Sequence, residues 1–451
     1  MGQGRHEDAW RLLVGIDGVP SPDLLYLRAA AAMQCGEAED AETALNACLK
    51  TAPLHPGATF HLAALHLARG DRSAAMRGFA QAIRLVPNWA EAHYNLAILQ
   101  AESGDAAAAE TSYGSALQAK PGLIQAAINL ANLLDSRGDR AEAIALLWQA
   151  LTHAPEFAQG WSTLGYLYLG ARQLEAAETS LARAVSIDPT MADAWEYLAE
   201  TRRQRGDREG AREAYQALIR INPDAEVAGF HLATLLGQTP SRPPDSFVRG
   251  LFDGMANEFE HKLVDVLGYR LPFELTRYLD DVLQTPTPLD VLDLGCGTGL
   301  CGQAIKPWAH RLHGVDVSPR MMELARARDV YDMLHEAELV EFLARCQDSE
   351  WDILLAADVL VYLGALEALF GQVRRVLRPG GRLLLSIEEL DTQGDYALRP
   401  TGRYAHAAGY LERLAAEHDF TVERNEPIPL RRESGTMLPG RLLRLGAGRT
   451  H

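Results

Sequence analysis

The chain has 451 residues, 47% hydrophobic and 23% charged, with a net charge of −17, which is length enough for two or three domains with packed cores. The acidic excess runs through both halves, so a nucleic-acid backbone is not the favoured partner, and no apolar run suits a signal peptide or a membrane span. The five cysteines, Cys35, Cys48, Cys296, Cys301 and Cys346, form no C-x-x-C pair or metal-spaced cluster, so they are expected to be reduced thiols of a cytoplasmic protein that holds no metal.

The first half keeps a 34-residue period. Pro53, Pro87, Pro121, Pro155, Pro189 and Pro223 mark it, as do Ala41, Ala75, Ala109, Ala143, Ala177 and Ala211, and the apolar column Leu62, Leu96, Leu130, Leu164, Leu198 and Leu232. Gly-Asp pairs at 70–71, 104–105, 138–139 and 206–207 share the clock, with Gly36-Glu37 a near match. Each unit reads as two helices. Gly ends the first in a left-handed cap, Asp caps the second, and Pro closes the unit because it cannot continue a helix. Six units cover about 22–225, the segment 226–237 reads as a capping helix, and residues 5–18 read as a worn helix ahead of the first unit. WSTLGYLY at 161–168 is the fullest copy of the first-helix pattern. These units resemble the tetratricopeptide repeat (TPR). The resemblance implies an all-α solenoid whose concave face takes a protein or peptide, or which pairs two copies of the chain in a homodimer.

QTPSRPPDS at 238–246 is rich in Pro and polar residues and reads as a linker. The expected division is therefore 1–237 for the repeats, 238–247 for the linker and 248–451 for a second domain. Helical patterns follow in FVRGLFDGMANEFEHKLVDVL and PFELTRYLDDVLQ, and TPTP at 285–288 breaks the chain. Apolar runs at LDVLDLG, RLHGVDV, WDILLAADVL and GRLLLSIEE then alternate with helical stretches, the pattern of a parallel α/β sheet buried on both faces. FTVERNEPIPL and PGRLLRLGA read as a closing antiparallel hairpin.

DVLDLGCGTGLCG at 290–302 follows the first of these strands. It contains a G-x-G-x-x-G register, the weak dinucleotide fingerprint, and a D-x-G-x-G-x-G register. DVLDLGCGTG, GVDVSPRMMELAR, AADVLVYLG and LRPGGRLLLS together resemble a class I methyltransferase that uses S-adenosylmethionine (SAM), over roughly residues 248–448. With the repeats in front, the whole chain resembles the bacterial TPR-containing predicted methyltransferases. The resemblance implies a Rossmann-like fold ending in the hairpin, SAM as cofactor and S-adenosylhomocysteine as product. It places Gly295, Cys296, Gly297 and Gly299 in the cofactor loop, the glycines under the methionine part. Asp293 supports that loop or meets the SAM ammonium. Asp316 lies on the ribose, Val317 and Met321 border the adenine, and Glu338 stands where an acidic residue meets the adenine amino group. Tyr269 and Arg270 close over the cofactor, and Asp358 touches it.

The acceptor side carries no N-P-P-Y motif and no Pro-Cys nucleophile. Methyl transfer needs alignment above all, and a base only if the acceptor has a proton to lose. His406, Glu388 and Tyr404 are the candidates for that chemistry, with Tyr362, Arg403 and Tyr410 against the substrate. His406 has only Ala405, Ala407 and Ala408 around it, which reads as pocket space. The expected activity is methyl transfer to an O or N nucleophile of a protein, peptide or small molecule. The alternative is a TPR scaffold whose second domain binds SAM without turnover.

Overall fold

The computed structural model describes residues 21–260, 271–283, 288–433 and 436–448. The proposed worn helix at 5–18 and most of TPTP lie outside them, as do Tyr269 and Arg270. The chain forms two compact units, Met1–Ala214 and Tyr215–His451. Among the described residues no helix is long and apolar enough to cross a membrane.

The first unit is built from paired helices such as Pro56–Ala68 with Arg72–Leu85 and Ala90–Glu102 with Ala106–Ala119. The 34-residue columns have physical jobs. Gly36, Gly70, Gly104, Gly138 and Gly206 all have positive φ, between 78° and 99°, so each ends a helix in the left-handed cap that a side chain disfavours. In the one unit without this glycine, Arg172 takes the same conformation at φ 58°. Asp71 Oδ1 accepts the Ala74 N–H at 2.9 Å, and Asp105 and Asp207 repeat the cap at Ala108 and Gly210. All six alanines of the period are fully buried, so paired backbones approach closely. A further buried column, Leu45, Phe79, Tyr113, Leu147 and Leu181, supplies the bulk that packs between helices. The closing prolines leave a free carbonyl, and ring N–H groups use it: Trp161 Nε1 donates to Pro155 O at 2.8 Å and Trp195 Nε1 to Pro189 O at 2.9 Å.

The second unit centres on a nine-stranded sheet. Parallel strands run in the order β3 (Met333–Glu336), β2 (Ala309–Asp316), β1 (Leu289–Leu294), β4 (Trp351–Ala356) and β5 (Leu377–Glu389). The hairpin of β8 (Phe420–Glu433) and β9 (Thr436–Ala447) closes the sheet, with β9 antiparallel to β5. This is the Rossmann-like architecture with the terminal hairpin. Strand cores such as Val291, Leu292, Ile353, Leu354 and Leu384 are fully buried because helices cover both faces. Two short strands go beyond the sequence reading: β6 (Tyr396–Leu398) pairs β7 (Tyr404–His406), and β7 pairs the last residues of β5.

The stretch read as a linker is bound to this unit. Ser241 O accepts the N–H groups of Gly364 and Ala365 at 3.0 and 2.8 Å, and Phe247 packs against Phe230 with ring centroids 4.7 Å apart. The helix Glu226–Leu235, read as the cap of the repeats, therefore groups with the sheet domain.

Helix pairing in the repeats is tight enough to test. A Cβ on Gly165 would sit 2.4 Å from Leu181 Cγ, a fully buried side chain. Gly165→Ala is expected to destabilise the repeat unit by roughly 1–3 kcal/mol through overpacking, read as a lower thermal midpoint. An unchanged midpoint would mean that the two helices can separate at no cost.

Candidate functional site

A cavity of about 250 Å³ opens at the C-terminal ends of the parallel strands, where open α/β sheets place their ligands. Its floor is the loop after β1. Gly295, Gly297 and Gly299 hold φ of 67°, 52° and 91°, so the chain turns there at positions that exclude most side chains. The three glycines do different work. A Cβ on Gly295 would strike Val359 Cγ2 at 2.4 Å, and one on Gly299 would meet Tyr331 at 3.0 Å, whereas one on Gly297 would meet no heavy atom within 4 Å. Gly295 and Gly297 line the cavity. The first allows the loop to pack, and the second leaves its backbone open to whatever fills the space.

Asp316, at the end of β2, holds the loop in place. Its Oδ2 accepts the Gly297 N–H at 2.8 Å and its Oδ1 accepts the Ser318 N–H at 2.9 Å. Burial raises its pKa, and these N–H groups oppose that rise. Carboxylate oxygens can accept more than one hydrogen bond each, and Asp316 also faces the cavity. Thr298 also lines the cavity, buried, with an Oγ1 that has no hydrogen-bond partner among the described residues. A buried orphan hydroxyl at a cavity wall suits a polar ligand atom.

One wall of the cavity comes from ahead of the sheet. Pro243 and Asp245 line it, with Val248, Phe252 and Met255 from the helix Asp245–Met255. Asp253 ties this segment down by accepting the Ser318 Oγ–H at 2.6 Å. A second part of the lining is charged. Arg431, on β8 and almost wholly buried, donates to Asp358 at 2.6 Å and also to Glu388. Arg403 Nε lies 3.2 Å from Glu388 Oε1, and Arg399 Nε lies 3.7 Å from Oε2. Burial pushes the Asp358 and Glu388 carboxyls up, and Arg431 opposes that push. Tyr362 completes this part, its ring 5.0 Å from Phe252.

Of the residues singled out from sequence, Gly295, Cys296, Gly297, Asp316, Val317, Glu338, Asp358, Tyr362 and Arg403 line the cavity. The structure does not bring the other described ones there, and Tyr269 and Arg270 lie outside the described residues. Asp293 is buried beneath the loop, accepting the Tyr331 hydroxyl at 2.6 Å, so it supports the loop and does not reach a ligand ammonium. Met321 is fully buried behind Val317. Gly299 caps the loop against Tyr331. Glu388 does not line the cavity and pairs with two arginines that do, Arg403 and Arg431.

The histidine reading needs correcting on physical grounds. His406 is fully buried in β7, its Nε2 paired with Gly364 O at 3.0 Å and its ring stacked on Tyr410. Burial pushes its imidazole down to about 4. The small alanines beside it leave room for the rings of Tyr396 and Tyr410, not for a substrate. Tyr404 is fully buried and packs near Tyr396, and the Tyr410 hydroxyl oxygen accepts the Leu366 N–H at 2.8 Å. None of the three lines the cavity. Sequence reasoning missed Thr298, Arg431 and the Val248–Met255 wall. Thr298 sits inside the glycine motif itself, but nothing local marks an arginine 73 residues beyond Asp358.

Fold and cavity together define a Rossmann-like methyltransferase domain with helical repeats ahead of it. The comparisons agree. Residues 292–383 match the methyltransferase domain family, and residues 26–88, 65–124, 128–192 and 162–226 match the tetratricopeptide repeat. A ubiquinone biosynthesis O-methyltransferase of Xanthomonas oryzae pv. oryzae (strain PXO99A) is 28% identical over 127 residues, 28% of this chain and 51% of that protein. A malonyl-[acyl-carrier protein] O-methyltransferase of Hahella chejuensis is 38% identical over 104 residues, 22% of this chain and 36% of that protein. The chain thus spans about half the length, or less, of these curated relatives. Among solved structures, the TPR protein YrrB covers 41% of this chain and 95% of its own at 20% identity and a TM-score of 0.37. A SAM-dependent methyltransferase from Methanosarcina mazei covers 37% and 95% at 17% identity and a TM-score of 0.32. The chain thus carries tetratricopeptide repeats within residues 26–226 and a methyltransferase domain at residues 292–383. SAM is the cofactor of such a domain, and the residues present fit it: an open backbone at Gly297, the orphan Thr298 hydroxyl and the Asp316 carboxylate.

Two substitutions separate ligand contact from loop packing. Gly297→Ala is expected to keep the fold, with about 1–2 kcal/mol of left-handed strain, and to weaken SAM binding at least about tenfold by calorimetry. Gly295→Ala carries the same strain plus the collision with Val359, so its thermal midpoint should fall further. Equal midpoints with equal SAM affinity would refute the division of labour.

Asp293 predicts a pH effect. Burial raises its carboxyl to about 7. A raised folded pKa stabilises fully below the unfolded value and is lost as pH climbs through the folded value. Asp293→Asn cannot titrate, so its stability relative to the parent should rise between about pH 4 and pH 7. Parallel pH–stability curves from denaturant melts would refute this.

Proposed function

We propose that this chain transfers a methyl group from SAM to an O or N nucleophile of a protein, peptide or small-molecule acceptor, and that the repeats recruit the substrate or pair two copies of the chain. The carrying observation is the pairing of Gly297 N–H with Asp316 at the floor of a cavity that Asp358, Tyr362, Arg403 and Arg431 also line. One part of that lining suits the cofactor and the other an acceptor.

When bound, SAM supplies an activated methyl on a sulfonium, a good leaving group. The chain's own residues then have three tasks. The Gly295–Gly297 backbone and Thr298 Oγ1 position the amino-acid part, and Asp316 takes ribose hydroxyls through its remaining lone pairs. Val317 and Leu339 offer apolar walls to a base, with Glu338 beside them. Phe252, Met255 and Tyr362 shield the reacting space from water, which favours alignment of donor and acceptor. His406 has no part in this chemistry.

Binding and turnover are tested separately. SAM and S-adenosylhomocysteine should raise the melting temperature of the full chain, and NAD should not. Asp316→Ala should weaken SAM about ten- to a hundredfold, the worth of a charge-assisted hydrogen bond. His406→Asn should leave SAM affinity unchanged and, because the ring is packed, lower stability instead. Stabilisation by SAM with no methyl transfer to any extract fraction would favour the scaffold that binds without turnover.

A further inference from the structure

We infer that Asp358 is the catalytic base of methyl transfer and that the acceptor it serves is a neutral hydroxyl. This inference rests on the methyl-transfer reading and narrows it to one residue and one acceptor class.

Five described non-glycine residues hold a positive φ: Arg172, Asp329, Ser349, Asp358 and Asp419. Of these, only Asp358 lines the cavity. A strained backbone persists where its surroundings over-determine it, and such residues gather at functional sites. Two contacts fix Asp358. Its N–H donates to Ser386 Oγ at 2.8 Å, and Ser386 is buried. Its chain neighbour Val359 packs on Gly295, where a Cβ would strike Val359 Cγ2 at 2.4 Å. Asp358 is thereby held beside the glycine loop, to which the methyl-transfer reading gives the part of SAM that carries the sulfonium.

The two carboxylate oxygens have different surroundings. Oδ1 accepts from Arg431 at 2.6 Å. Among the described residues Oδ2 has no hydrogen-bond partner, yet it is not one of the buried atoms left without one. The side chain keeps 17% of its surface accessible, so this oxygen is open to the cavity. The charged and titratable groups facing Asp358 are Arg431 on β8, Arg403 before β7, Glu388 on β5, Tyr362 after β4 and the Cys301 thiol. Burial raises the Asp358 carboxyl, and Arg431 and Arg403 oppose that rise. Burial also keeps the Tyr362 phenol and the Cys301 thiol protonated. Glu388 accepts from Arg431 as well and does not line the cavity. When Asp358 takes a proton, Arg431 therefore keeps an ionised partner, and no buried charge is stranded. No lysine or histidine is among the described lining residues to compete for the role.

Proton accounting selects the acceptor. A base is needed only where the acceptor has a proton to lose. A carboxylate has none at neutral pH, and it would set its negative charge against the open oxygen of Asp358. An ammonium has no lone pair until it is deprotonated, and it would bring a positive charge toward Arg403 and Arg431. A hydroxyl enters neutral and keeps two lone pairs while it holds its proton. One lone pair forms the new C–O bond with the methyl carbon. The S–CH3 bond breaks with its electron pair remaining on sulfur, and the hydroxyl proton passes to Asp358 Oδ2. The products are a methyl ether, S-adenosylhomocysteine with a neutral sulfur, and a protonated Asp358 that returns its proton to solvent once product leaves. The sulfonium and carboxylate charges cancel.

The test uses the full chain, SAM labelled with tritium in the methyl group, and whole-cell extract as the source of acceptor. The expected product keeps its label in mild alkali and releases it as volatile methyl iodide in hot hydriodic acid, as methyl ethers do. Label released by mild alkali marks a methyl ester, and label that survives both treatments marks another atom. Either would overturn the hydroxyl assignment while leaving methyl transfer standing. No transferred label would overturn both readings. At saturating SAM, Asp358→Asn should lower the transfer rate about 10²-fold or more, with calorimetric SAM affinity within about twofold of the parent. The parent's rate should fall as pH drops from neutrality toward about pH 4, because its base becomes protonated, and the Asn variant should lack that limb. A parent rate that stays flat over this range would overturn the base assignment even if the variant did not fold. An Asp358→Asn variant that folds, binds SAM and transfers methyl at the parent's rate would do the same.

Discussion

The glycine loop of this domain depends on one carboxylate. Asp316 accepts the Gly297 N–H on one oxygen and the Ser318 N–H on the other, so the loop after β1 and the turn after β2 cannot move independently. Ser318 extends the link by donating its hydroxyl to Asp253 on the segment ahead of the sheet. A buried carboxylate without hydrogen bonds would be costly. Here the backbone donors stabilise it, while its exposed edge faces the cavity. The arrangement sets the loop, the wall and the acceptor of a polar ligand from a single point.

The charged part of the cavity lining has its own constraint in Arg431. A guanidinium so deeply buried needs partners, and it finds them on two different strand ends, Asp358 after β4 and Glu388 in β5. The partners meet only because β9 runs antiparallel along β5 and carries β8 with it. The closing hairpin is thus part of the site as well as of the sheet. Asp358 itself holds a φ of 56°, an uncommon backbone state for a non-glycine residue. Its N–H bonds Ser386 Oγ at 2.8 Å and its carboxylate bonds Arg431, which together over-determine that conformation.

Local signals in the chain carried the repeats and the glycine loop. The Pro, Gly-Asp and Ala columns each encode a requirement met within one unit: a helix stop, a pair of caps, a close contact. The glycine motif likewise reports a backbone that turns through positive φ. The readings of His406, Tyr404 and Tyr410 failed for the opposite reason. Around His406, small neighbours in sequence suggest empty space, yet the rings of Tyr396 and Tyr410 fill it. Asp293 shows a milder case. Its place in the motif is as expected, but only Tyr331, 38 residues on, decides that it supports the loop from below.

By itself the sequence determined the two kinds of architecture, the order of the main strands and the loop that follows β1, because periodicity, capping and backbone sterics act over a few residues or one repeat. The tertiary structure alone decided which polar side chains share a cavity. It set Arg431 between Asp358 and Glu388, turned His406 into the core, and made a wall of the stretch that reads as a linker. Those outcomes depend on strand pairing and ring packing between segments up to 159 residues apart, as between Thr239 and Leu398. Burial and charge pairing at that range leave no pattern in the local sequence.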